Sequence, residues 1–192
     1  TALLASIDTA ELSTGVVGNL TSTQIGTIGT ALTATQIGVL GSAQLAGLSS
    51  AQINGFDTAQ VQAISTSAIS SISTAEIVTL DVAALAAGQV AAMKYQQIAA
   101  LGSTLSATQI GAITTAQSQG LTSTVISALN TAQVQAISTA DIAVLGTAQL
   151  QALTIPMLTN AQVAALSSTQ LTELTTAQMQ SFTPAQEPYL NI

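Results

Sequence analysis

Asp57-Thr58-Ala59-Gln60-Val61-Gln62-Ala63-Ile64 is the phrase on which the fold turns. Close variants flank it: Ser49-Ser50-Ala51-Gln52-Ile53-Asn54-Gly55-Phe56 before, and Ser73-Thr74-Ala75-Glu76-Ile77-Val78-Thr79-Leu80 shortly after. Each octad has two apolar positions, separated by three residues within the unit and by five across the join. In a strand, odd separations put successive apolar residues on opposite faces. In a helix, residues three apart share a face. The octad is therefore locally helical. Eight residues at about 100° each overshoot two turns by about 80°, so one straight helix would let its apolar stripe wander round the axis. The chain must turn at every octad.

The sequence supplies the turn. A Ser, Thr, Asp or Asn followed three residues later by Gln or a related residue is a capping box. Ser49 with Gln52, Asp57 with Gln60, Ser73 with Glu76, Asn130 with Gln133, Ser138 with Asp141 and Ser167 with Gln170 have that spacing. Leu48 with Ile53, Phe56 with Val61 and Ile72 with Ile77 fit the accompanying hydrophobic staple. Helices this short do not survive alone in water. They need neighbouring coils, which is the logic of a solenoid. The expected fold is all-α: a repeat solenoid of very short capped helices, about three per coil.

A longer repeat contains the octads. Residues 8–80 laid on 81–153 match at 33 of 73 positions without a gap. Thr58-Ala59-Gln60-Val61-Gln62-Ala63-Ile64-Ser65-Thr66 recurs unchanged as Thr131 to Thr139. Residues 1–7 match the end of a copy, and 154–192 read as a third, shortened copy with a Pro-containing end, so residues 1–192 are expected to form one array. The Gln position of successive octads steps by 5, 8 and 12, then six times by 8. Grouped in threes, these steps predict coils of 25, 24 and 24 residues, three coils to each long repeat. The 12-residue step reads as one extended helix, with Ile25, Ile28 and Leu32, and later Ile98, Leu101 and Leu105, at helical spacing. The expected core is Ile37, Leu40, Leu45, Leu48, Ile53, Phe56, Val61, Ile64, Ile69, Ile72, Ile77, Leu80 and their partners 73 residues on.

Composition narrows the function. The chain has no His, Cys or Trp, its sole basic residue is Lys94, and its net charge is −7. Without His or Cys, the usual general bases, thiolate nucleophiles and zinc ligands are missing, and a Ser-His-Asp triad cannot be built. Nucleic-acid binding needs cations against phosphate, so nucleic acid is not an expected partner. No apolar run reaches membrane-spanning length, although mean hydropathy is +0.57. The acids Asp8, Glu11, Asp57, Glu76, Asp81, Asp141, Glu173 and Glu187 are scattered; Asp57 stands at a cap position and Glu11, Glu76 and Asp141 at the Gln position, where the helix dipole favours them. No EF-hand loop or glycine- and aspartate-rich calcium run is present. No catalytic, metal or cofactor residue is expected. Lys94 reads as a solvated charge and Tyr95 as a core-edge aromatic.

Units such as Leu174-Thr175-Thr176-Ala177-Gln178-Met179 resemble the Ala/Thr/Gln-rich octapeptide repeats of very long secreted or surface proteins of Gram-negative bacteria. The resemblance implies an extracellular structural or adhesive role. With only 5 % charged residues, far below the usual quarter, the polar surface consists of Ser, Thr, Gln and Asn, which hydrate but scarcely repel. The expectation is therefore a non-enzymatic segment of a self-assembling extracellular filament, sheath or surface layer, whose partner is itself. The alternative is the stalk of a large adhesin.

Overall fold

The computed structural model describes residues 8–28 and 31–191; the match of residues 1–7 to the end of a copy lies outside them. Among the described residues there is helix and no strand. The chain forms two compact units, Thr1–Leu101 and Gly102–Ile192. The first contains α1 (Thr14–Gly18), α2 (Ser22–Ile28), α3 (Ala34–Ile37), α4 (Ser42–Leu45), α5 (Ser50–Asn54), α6 (Thr58–Ala63), α7 (Thr66–Ile69), α8 (Thr74–Ile77), α9 (Ala87–Ala91) and α10 (Tyr95–Leu101). It also has 3₁₀ turns at Thr9–Glu11 and Val82–Ala84. The second contains α11 (Ala107–Ile110), α12 (Ser123–Ser127), α13 (Thr131–Ala136), α14 (Thr139–Ala143), α15 (Thr147–Gln151), α16 (Asn160–Ala164), α17 (Ser168–Glu173) and α18 (Thr176–Met179), with 3₁₀ turns at Gly102–Thr104, Thr115–Gly120, Ile155–Met157 and Glu187–Tyr189.

Each segment is one side of a coil, and within each unit sides pack on the third side after them. In the first unit α4 meets α7, α5 meets α8, and α6 meets Val82–Ala84. In the second, α12 meets α15, α14 meets α16, and α15 meets α17. Three sides per coil is the expected number. The size of the coil is not. Stacked helices begin 24 residues apart at Ala34 and Thr58, 21 apart at Thr66 and Ala87, and 20 apart at Ser22 and Ser42. The 21 follows from the 5-residue step between Ala84 and Gln89, and the 12-residue step, described whole in the second copy, holds two sides instead of one. From Tyr95, helix α10 stops at Leu101, Gly102 takes φ +55, and a 3₁₀ turn follows before α11. Glycine accepts that left-handed backbone without steric cost. So ten sides, not nine, fill the long repeat from Val82 to its copy at Ile155. Ten is not a multiple of three, so a repeat does not end in the column where it began. Within the first unit, Val82–Ala84 stacks on α6, which stacks on α3, which stacks on α1. Its sequence counterpart, Thr9–Glu11, lies one side before α1, with the Thr9 hydroxyl donating to the Ala31 carbonyl at 3.0 Å.

The apolar positions form the core as expected. Ile37, Leu40, Leu45, Leu48, Ile53, Phe56, Val61, Ile64, Ile69, Ile72, Ile77 and Leu80 are all buried, and so are their counterparts from Ile110 to Leu153. One counterpart is polar: Ser118 stands where Leu45 stands in the first copy. Where small residues meet, the backbones close up. A Cβ on Gly26 would come within 2.8 Å of the Gly47 carbonyl oxygen, and one on Gly47 within 2.7 Å of the Ser22 backbone oxygen. Two glycines thus let α2 and α4 touch.

The prolines fit the turns. Pro156 and Pro188 both lie in the first turn of a 3₁₀ segment, where a missing N–H costs nothing. Gln186, two residues before Pro188, keeps the octad's contacts.

Candidate functional site

An octad glutamine can perform two tasks with its two amide atoms. Gln60 shows the first. Its Oε1 accepts the Asp57 backbone N–H at 2.8 Å, while the Asp57 carboxylate accepts the Gln60 N–H at 2.8 Å. That is a complete capping box. The same reciprocal pair forms for Ser49 with Gln52, Ser73 with Glu76, Asn130 with Gln133 and Ser167 with Gln170. Ser138 with Asp141 departs from it. Asp141 is one methylene too short to reach back to the Ser138 N–H, and accepts the Ser138 hydroxyl at 2.6 Å instead.

The second task was not read from the sequence. With Oε1 on its own helix, the glutamine Nε2 faces the coil before. Gln162 donates to the carbonyls of Val134 and Ile137 at 2.8 and 2.7 Å. Gln89 donates to Val61 and Ile64, Gln97 to Ile69 and Ile72, and Gln178 to Leu150 and Leu153. These acceptors sit at or just past the end of a short helix, where the i+4 N–H that a longer helix would supply is missing. A ladder of glutamines therefore caps the start of one helix and the end of another in the coil before. The amide carries an acceptor and a donor, whereas a carboxylate of the same length only accepts. The recurrence of Gln over Glu was the available signal, and its cause is nonlocal.

Carboxylates at this position must find other partners. Glu76 accepts the Ser73 hydroxyl at 2.8 Å and the Ser50 hydroxyl of the preceding coil at 3.4 Å. Thr147 donates to Glu173, and Thr58 to Asp81, in the same coil-to-coil sense. Asp57 is an N-cap, as expected, and Asp8 and Asp81 are N-caps of 3₁₀ turns. No group of three or more acidic, His or Cys side chains gathers among the described residues.

Two surface features remain. Helices α2, α4, α7 and α9 stack in one column of the first unit. The exposed residues of these helices are all Ser, Thr, Ala or Gly, among them Thr23, Ser42, Ala43, Thr66, Ala87 and Gly88. No charge interrupts that face. A shallow depression between α12 and α15 is lined by Ser123, Thr124, Ser127, Ala148, Gln151 and Ala152. Lys94 is exposed, as expected, but Tyr95 is 41 % exposed and lies outside the core edge. Among the described residues no helix is long and apolar enough to cross a membrane.

The architecture is that of an all-helical repeat protein. Residues 126–155, from the end of α12 through α15 to Ile155, match the ALTTAQ repeat family. No curated protein matches the chain.

Proposed function

We propose that this chain is a non-enzymatic structural segment of a self-assembling extracellular filament, sheath or surface layer. The observation that carries the reading is the column α2, α4, α7 and α9, whose exposed residues are only Ser, Thr, Ala and Gly. Small side chains lose little conformational entropy on association. A face without charge offers no electrostatic repulsion to a second copy. The exposed hydroxyls can exchange water for neighbouring backbone or side-chain acceptors. The secreted or surface location rests on the resemblance of units such as Leu174–Met179 to repeats of Gram-negative surface proteins.

Electron microscopy with light scattering over a concentration series tests this reading. Ordered fibres or sheets at micromolar protein are expected. Ala43→Lys with Ala87→Lys places two cations on the face and should abolish them while the circular dichroism stays helical. Single rods that remain monomeric at every concentration would overturn assembly and leave the adhesin stalk.

A further inference from the structure

We infer that the buried pair Ser118–Asp141 is a register key, which makes one coil junction chemically distinct from its near-copy so that each helix docks only on its own neighbour. The Asp141 side chain is 1 % exposed, and its two oxygens accept the hydroxyls of Ser118 at 2.9 Å and Ser138 at 2.6 Å. Ser118 lies in the Thr115–Gly120 turn and Asp141 in α14, which packs on that turn. Neither Thr115–Gly120 nor α16, the other segment packed on α14, carries a charged or titratable residue.

The first copy has a different pair at the same place. Leu45 replaces Ser118 and Ala68 replaces Asp141, both 1 % exposed, on helices α4 and α7 that pack together. Both positions of the contact change together between the copies, from apolar with apolar to hydroxyl with carboxylate. Directly before α7 and α14 the chain is otherwise the same: Thr58–Thr66 equals Thr131–Thr139. During folding, α14 could therefore dock where α7 belongs, in the same chain or another, and the octad chemistry would not object. The key objects. Asp141 against Leu45 would bury a carboxylate without the cross-coil hydroxyl, and Ala68 against Ser118 would bury a hydroxyl without its acceptor. Both mispairings leave a buried polar group unsatisfied. Discrimination by penalising the wrong partner is how closely similar modules stay sorted. A single buried polar residue fixing register in a coiled coil is the nearest parallel.

The full chain, unfolded in denaturant and diluted at low concentration, tests this by peptide-resolved hydrogen exchange of refolded against never-unfolded protein. Ser118→Leu with Asp141→Ala makes the second junction like the first. It should keep its thermal stability and lose roughly half of its native recovery, because two equal sites then compete. Leu45→Ser with Ala68→Asp makes the first junction like the second and leaves Ser118–Asp141 intact. It should lose recovery in the same way, which a purely local stabilising role of the pair would not produce. The fourfold exchange restores two distinct junctions and should restore recovery. If either double variant recovers as fully as the parent, or the fourfold variant does not recover, the register key is wrong.

Discussion

Gln162 joins two coils through one amide: its Nε2 donates to the Ile137 carbonyl at 2.7 Å, and its Oε1 accepts the Thr159 backbone N–H at 2.9 Å. A five-residue helix, α16, is thereby fixed at its own start and tied to the end of α13. Each helix is too short to be stable alone, so this shared atom pair supplies what helix length cannot.

Gln162→Glu keeps the capping arm and removes the donor. A carboxylate then faces two carbonyls at a site 2 % exposed. The expected loss is about 3 kcal/mol, more than for an uncharged unsatisfied group. Hydrogen exchange should show protection falling in α13 and α16 together. Loss confined to α16 would mean that the coil-to-coil arm carries little.

Glu76→Gln is the converse. Its copy, Gln149, donates to the carbonyls of Ser118 and Leu121 at 2.8 and 2.7 Å. The corresponding carbonyls in the first copy belong to Leu45 and Leu48. A glutamine at 76 should reach them and stabilise the unit by about 1 kcal/mol. A thermal midpoint that fails to rise would contradict the equivalence of the two junctions.

Gly47→Ala and Gly88→Ala should have opposite signs. An added methyl at Gly47 meets Ser22 at 2.7 Å and must force α4 off α2, at a cost of about 1–3 kcal/mol. At Gly88, on the second residue of α9, nothing lies within 4 Å of the added carbon. There the helix should gain about 0.5–1 kcal/mol. Denaturant midpoints of the two variants decide it.

Ile64→Asp places a charge at a position 3 % exposed, at the corner that follows α6. The loss should be roughly 4 kcal/mol or more. Because each coil is supported by its neighbours, helicity should fall by more than one octad's share. A variant as stable as its parent would remove Ile64 from the core.

Much of this was legible in the residues themselves. Helicity follows from apolar spacing, and a capping box from a side chain and a backbone group three residues apart, so Asp57 with Gln60 could be read directly. Burial of Ile53, Val61 and Ile77 follows from the same spacing. The site was legible in half. The recurrence of Gln is plain, yet the partner of its Nε2 lies 24 to 31 residues away, where no local rule points. Asp141 looked like a capping residue, and its burial depends on a serine in the preceding coil.

What the sequence by itself determined is therefore the local unit: short capped helices that turn every octad, with one apolar face each. These are short-range properties, set by backbone hydrogen bonding and side-chain periodicity. What only the tertiary structure decided is how the units add up. Ile98, Leu101 and Leu105 suit one long helix as well as a helix followed by a turn, and the spacing does not distinguish them. The structure breaks the chain at Gly102, because a third side must close each coil before the next can cover it. That extra corner makes ten sides to a repeat and, in the first unit, places Val82–Ala84 in a different column from its counterpart Thr9–Glu11.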